Sequence, residues 1–282
     1  MQVGVTIHAT DETMDPVELA REAEQRGFHS FYVPEHTHIP VSRETPAPTG
    51  TPELAREYLR TLDPYIALAA ASAVTERILL GTGIALLAQH DPIALAKEIA
   101  TLDRISGGRF VLGIGYGWNR EEMRDHGVAF GERRARVHES MELMQALWSQ
   151  EVASYAGEHL SLSPSWAWPK PLQQPRPRTL VGGAPGPKLF AAIAAHADGW
   201  MPIGGAGMRP AIDALRTAFA AAGRDPASLH IAPFGVLPSA EKLDYYRELG
   251  VSEAVLRLPG GGRDEVMPVL DDFVQWVGHA AA

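Results

Sequence analysis

Apolar residues along this chain follow two alternating patterns. Runs at Val3 to Ile7, Ser30 to Pro34, Ile78 to Ile84, Arg109 to Ile114, Thr179 to Gly182, Gly199 to Ile203, Leu229 to Pro233 and Ala254 to Leu258 are short and apolar enough to be strands buried on both faces. Between them apolar positions recur at helical spacing, as in Val17, Ala20 and Ala23 or Ile93, Ala96, Ile99 and Ala100. Helices are expected near residues 15–26, 62–74, 92–105, 134–149, 186–196, 209–222, 239–249 and 263–279. Asp15-Pro16, Asp63-Pro64 and Asp91-Pro92 each put a capping carboxylate before a proline whose fixed φ suits the first helical position. Glu18 completes a capping box with Asp15.

Eight such alternations with right-handed crossovers close most naturally into a (β/α)8 TIM barrel, one domain over residues 1–282, with a doubly wound sheet as second choice. Two stretches break the repeat: residues 36–60, rich in Pro and Thr, and residues 152–178, which hold Trp166 and Trp168. Both are expected as loop insertions at the C-terminal face, where a barrel carries its catalytic mouth, one as a lid and the other as a pocket wall.

Composition then narrows the function classes. A hydrophobic fraction of 45% supports a full core, and a net charge of −9 works against nucleic acid or an anionic membrane as the main partner, leaving a small molecule. With Cys 0, thiolate chemistry and Cys-based metal sites are excluded, so redox chemistry requires a borrowed group. No apolar run reaches the roughly 20 residues needed to span a membrane, and a cytoplasmic location is expected.

Strand ends supply the filter for candidate chemistry. His36 follows the second strand beside Glu35; a histidine there could exchange a proton near neutral pH while the carboxylate orients it, or could simply bond to loop backbone. His8 lies at the end of the first strand. His36 and His38 also have the spacing of a metal-binding pair in barrel hydrolases, although only His230 and Asp198 are placed even loosely as further ligands. Gly115-Tyr116-Gly117 leaves the fourth strand among alternate glycines that let backbone approach a ligand closely, without the glycine spacing of a dinucleotide fingerprint. Gly182-Gly183-Ala184 lies ahead of a helix start, where free N–H groups suit a phosphate unless the segment is a plain tight turn.

Several segments, in order, resemble one family: Ser30-Phe31-Tyr32-Val33-Pro34-Glu35-His36, Leu80-Gly81-Thr82-Gly83-Ile84, Ser106-Gly107-Gly108-Arg109, Gly113-Ile114-Gly115, Gly117-Trp118-Asn119-Arg120-Glu121-Glu122-Met123 and Asp198-Gly199-Trp200-Met201-Pro202. They resemble luciferase-like monooxygenases over roughly residues 1–205, and within that superfamily the subgroup dependent on the deazaflavin coenzyme F420. The resemblance implies a cofactor ring in the barrel mouth against a bulge in the third strand, with a non-proline cis peptide at Gly83-Ile84. It places the cofactor's phosphate end along Gly115 to Gly117 and Gly182 to Ala184, His36 facing the ring with Glu35 as its neighbour, and His8 as a lining group. Related sugar-phosphate dehydrogenases carry glutamate where this chain has Trp118, which argues against a sugar phosphate. The expected activity is hydride transfer between F420 and a small organic substrate. The alternatives are an FMN-dependent monooxygenase on the same fold and a metal-dependent hydrolase using His36 and His38. A homodimer is a possible assembly.

Overall fold

The Asp-Pro pairs start helices in the way the sequence predicts. Asp15 accepts from the backbone N–H groups of Val17 and Glu18, Asp63 from that of Ile66, and Asp91 from those of Ile93 and Ala94, so donors that the first turn leaves unpaired are satisfied. The Glu18 carboxylate does not return to the cap; it pairs with Arg263, whose cation competes better than a backbone N–H.

The computed structural model describes residues 1–48, 53–204 and 207–281. Its strands are β1 (Gln2–Thr6), β2 (Ser30–Val33), β3 (Leu79–Thr82), β4 (Phe110–Ile114), β5 (Ala153–Ala156), β6 (Ser161–Ser165), β7 (Arg178–Gly182), β8 (Gly199–Met201), β9 (His230–Ile231), β10 (Phe234–Val236) and β11 (Glu253–Arg257). Its helices are α1 (Pro16–Gln25), α2 (Pro64–Ser72), α3 (Pro92–Ile105), α4 (Arg120–Asp125), α5 (Arg133–Ser149), α6 (Pro187–His196), α7 (Met208–Ala221), α8 (Ala240–Glu248) and α9 (Arg263–Ala281). None of the described helices is long and apolar enough to cross a membrane.

The main sheet runs β10-β11-β1-β2-β3-β4-β7-β8-β9, and its two edges belong to one stretch of chain. Pro233, which lacks an N–H, separates β9 from β10 and splits what the hydrogen bonds treat as one strand. On one side Ala232 N donates to Trp200 O at 2.9 Å and Phe234 N to Pro202 O at 2.8 Å; on the other, Ser252 N donates to Ile231 O at 3.0 Å and Val255 N to Pro233 O at 2.9 Å. The ring closes on eight strand positions, as a (β/α)8 barrel requires.

Strand alternation sorts the two cores. Val3, Val5 and Ile7 point out to the helices, while Tyr32, Val111, Leu180, Met201, Ala232 and Val255 pack together inside the barrel. Gly4 makes room there, because a Cβ on it would lie 1.9 Å from Ser30 Oγ and 2.5 Å from Glu253 Oε1. Glu253 is buried in the floor, accepting from Ser30 Oγ and, at 3.3 Å, from Tyr32 Oη, with His230 Nε2 at 3.4 Å. Burial opposes its charge, but the hydrogen bond and charge of His230 outweigh that and hold its pKa below the usual range.

The two insertions lie in different places. Residues following β2 cross the mouth and end in a 3-10 turn, Arg56–Arg60; Thr49, Gly50, Thr51 and Pro52 fall outside the described residues. The stretch after α5 forms the antiparallel β5–β6 hairpin instead of a wall of the mouth. It packs along the outside of α5, where Glu139 accepts from the N–H groups of Glu158, His159 and Leu160, and then runs to the carboxyl end of α3, where Asp103 accepts from Leu172 N and Gln173 N. It follows a helix, and helices here end on the face opposite the mouth.

Candidate active site

His36 sits at the mouth with a partner the sequence did not suggest. Its Nδ1 lies 2.9 Å from Glu122 Oε2, while Thr37 N donates to Glu122 Oε1 at 3.2 Å. Glu122 is fully buried on α4, a helix capped by Asn119, whose side chain accepts from the N–H groups of Glu121 and Glu122. An ionised carboxylate only accepts, so the hydrogen of this pair belongs on Nδ1, and Nε2 is the nitrogen left for chemistry. Glu122 was hidden within the segment Asn119 to Met123, where its position near a helix start reads as capping.

Glu35 does not orient His36. Both residues lie past the end of β2, and the Glu35 carboxylate is committed elsewhere, accepting from Leu86 N at 2.6 Å and meeting His90 Nε2 at 2.7 Å. Burial works against a charged His90, but the Glu35 hydrogen bond and charge prevail and raise its pKa. Glu35 therefore ties the second strand to the turn after the third and holds the mouth from behind.

A box of rings covers His36. Tyr58, on the lid turn, is 4.8 Å from His8 and 5.4 Å from His36 between ring centroids, and Trp118 is 5.8 Å from His36 and 6.1 Å from Tyr58. His8 bonds through Nε2 to Thr61 Oγ1 at 3.0 Å. Its pKa is lowered to about 4, first by burial and then by the charges of His36 and Arg257, so it is neutral where His36 would work. The lid is pinned at several points: Arg56 to Glu12, Arg60 to Asp11, Arg257 to Glu57, and Thr45 to Glu121.

The expected cofactor-wall segments converge on Ile84. The Gly83-Ile84 peptide is cis. A Cβ on Gly115 would lie 2.1 Å from Ile84 Cδ1, and one on Gly182 would lie 3.2 Å from Ile84 Cγ2, so both glycines keep the wall against this side chain thin. Gly117 turns the chain with φ 73°. Gly183 and Ala184 are exposed ahead of α6, whose N-cap, Gly186, offers no side-chain bond. Tyr116 Oη meets His138 Nε2 at 3.1 Å. The Arg134 guanidinium lies 4.2 Å from the centroid of Tyr116, and those of Arg120 and Arg133 lie 4.9 and 3.6 Å from the centroid of Phe130. Burial and then the charges of Arg134 and Arg120 lower the pKa of Arg133, as expected of neighbouring cations without a carboxylate between them.

A metal centre at His36 and His38 is not supported. His38 turns to Asp125, at 3.1 Å, while His36 turns to Glu122. Asp198 pairs with Arg176 and Arg224, and His230 meets Glu253 in the barrel floor. Among the described residues no group of three or more His, Cys, Asp or Glu side chains is arranged to hold a metal ion.

The model of the family described as luciferase-like monooxygenase matches residues 1–256. The chain belongs to the luciferase-like monooxygenase family. An uncharacterised protein of Mycobacterium tuberculosis (strain ATCC 25618 / H37Rv) is 47% identical over 268 residues, 94% of each chain. The F420-dependent glucose-6-phosphate dehydrogenase of Kineococcus radiotolerans is 31% identical over 73% of this chain and 58% of its own. Among solved structures, an F420-dependent secondary alcohol dehydrogenase, bound to an F420-acetone adduct, superposes with a TM-score of 0.79 over 99% of this chain and 98% of its own at 18% identity. The oxygenating constituent of 3,6-diketocamphane monooxygenase from Pseudomonas putida, bound to FMN, gives a TM-score of 0.67 over 87% of this chain and 70% of its own, also at 18% identity. The family match supports an oxidoreductase, and the two structural likenesses speak to the luciferase-like fold alone.

Proposed function

We propose that this luciferase-like protein binds F420 in the barrel mouth and exchanges a hydride with a small organic molecule, with His36 moving the accompanying proton. The His36–Glu122 pair is the observation that carries this reading: a ring at the end of β2, held through Nδ1 by a buried carboxylate, under an aromatic lid. When bound, the deazaflavin supplies a ring carbon that gives or takes hydride as nicotinamide does. Glu122 fixes the His36 tautomer, which leaves Nε2 as the nitrogen that accepts and returns a proton. Tyr58 and Trp118 exclude water from that nitrogen. Neutral His8 adds a polar wall without a competing charge.

The residues present suit the group. Ile84, backed by Gly115 and Gly182, offers an apolar platform for a planar ring system. The uncapped start of α6 and the glycines before it suit a phosphate. Arg134 supplies positive charge over Tyr116, and Arg120 and Arg133 supply it over Phe130. FMN fits the same platform, but its side chain ends at one phosphate, whereas that of F420 continues into carboxylates; three arginines on two rings favour the longer anion. The test is an anaerobic screen of small alcohols, ketones and enones with F420, read by the cofactor's absorbance. His36→Ala is expected to lower turnover by roughly 10²–10⁴-fold with cofactor affinity nearly unchanged. Full turnover in that variant would remove His36 from the mechanism.

A further inference from the structure

Arg43 is held in the lid without an acid. The segment that carries it is fixed on both sides: Thr37 N donates to Glu122, and Thr45 N donates to Glu121 at 2.8 Å. Between these ties Arg43 has φ 51°, a left-handed conformation that a side chain of this size rarely adopts and that tends to mark functional sites. Its guanidinium lies 5.9 Å from the centroid of Trp118, the ring that stands beside His36 and Tyr58. Its Nη1 is buried and has no hydrogen-bond partner among the described residues. The other arginines tied to the lid have carboxylates: Arg56 has Glu12, Arg60 has Asp11, Arg257 has Glu57 and Arg124 has Glu44. Glu44, next to Arg43 in sequence, is on Arg124.

A buried N–H of a permanent cation that lacks an acceptor is costly in a finished structure, and an incoming acceptor removes that cost. We infer that Arg43 is a specificity-determining residue that receives a carboxylate of the substrate: a molecule lying over His36 and along Trp118 places its anionic end on Nη1. The inference rests on reading the mouth as the substrate site, and it narrows the substrate to small carboxylic acids whose reacting carbon lies away from the acid group. Guanidinium donors are arranged to take both oxygens of a carboxylate, which a neutral amide of the same shape cannot match. Arg43 and His36 lie 5.9 and 5.8 Å from the same Trp118 ring centroid, so one small molecule along that ring can reach both.

Binding of paired probes tests this without turnover. Titration calorimetry of the full chain, with and without F420, would compare benzoate with benzamide and hexanoate with hexanamide. At least one acid is expected to bind about tenfold or more tighter than its amide. Arg43→Met should abolish that preference, and Arg43→Lys should retain part of it, with thermal melts confirming that both variants fold. Equal binding of acid and amide, binding of neither acid, or an unchanged preference in Arg43→Met would overturn the assignment. The comparison is also made without cofactor, so a failure of F420 to bind would count against the proposed reaction and leave the Arg43 result readable.

Discussion

The two halves of the barrel mouth are finished differently. Around β1 to β3 and α4, most groups find partners inside the protein: α1, α2, α3 and α4 are capped by Asp15, Asp63, Asp91 and Asn119, Glu35 and Glu122 are both occupied, and the lid is stitched by ion pairs, with Arg43 Nη1 an exception. Around β4 and β7 the finish is open: α5 and α6 begin without side-chain caps, and Arg133 and Arg134 open α5 with rings beneath them, while the neighbouring Glu132 pairs with Arg136. A chain of net charge −9 has carboxylates to spare, so leaving cations and helix starts unpaired on one side suits an anionic ligand. The closed half is built to hold protons in place, with Arg43 as its one proposed anion contact, and the open half to receive the larger charge of a cofactor.

Breaking each half should fail in its own way. The largest effect is expected in the closed half, where His36→Ala lowers turnover by roughly 10²–10⁴-fold and leaves the cofactor dissociation constant within about twofold. Glu122→Gln should follow at roughly 10–100-fold in turnover, the value of a hydrogen bond to a charged partner, with cofactor binding kept; unchanged turnover would assign Glu122 to structure alone. In the open half, Arg134→Ala should weaken cofactor binding about fivefold, with a smaller loss at high salt because the contact is exposed, while turnover at saturation stays near that of the parent.

Two buried groups give the smallest and most specific signals. The pKa of His8 is held near 4 in the folded chain, below its unfolded value, so the unfolded state takes up the proton first. The stability lost is absent above about pH 6.5 and grows as pH falls toward 4; His8→Gln should lessen that part of the acid dependence in urea titrations. Glu253 is also depressed, so its contribution is full above the ordinary carboxylate range and fades as pH drops below it. Glu253→Gln should cost stability at neutral pH and less at acid pH. Equal costs at both would show that its charge is not used.

Local signals carried the fold. The Asp-Pro starts, the buried runs and the helical spacing are rules of near neighbours, and they place the barrel strands and most helices within a few residues. The seventh barrel strand ran on past its expected end because Pro233 interrupts the ladder without ending the pairing, so Phe234–Val236 continues it. The β5–β6 hairpin was not anticipated because Ser161–Ser165 has little apolar alternation, with Leu162 its one residue packed against the core.

The site was half legible for the same reason. His36, His8, Ile84 and the glycines stand at strand ends, which order along the chain reveals. The partner of His36 is 86 residues away, and only the fold brings Glu122 to it. Glu35 was the nearer carboxylate in sequence, but it lies in the irregular stretch after β2, where no strand period fixes its direction, and it turns to Leu86 and His90.

The most direct test of the cofactor reading is a parallel titration of the chain with F420 and with FMN at matched concentrations, followed by quenching of cofactor fluorescence. Binding of F420 at micromolar concentration or tighter, with FMN clearly weaker and the difference reduced by Arg134→Ala, is the result expected. FMN bound as tightly as F420 or tighter, or neither bound, would contradict it.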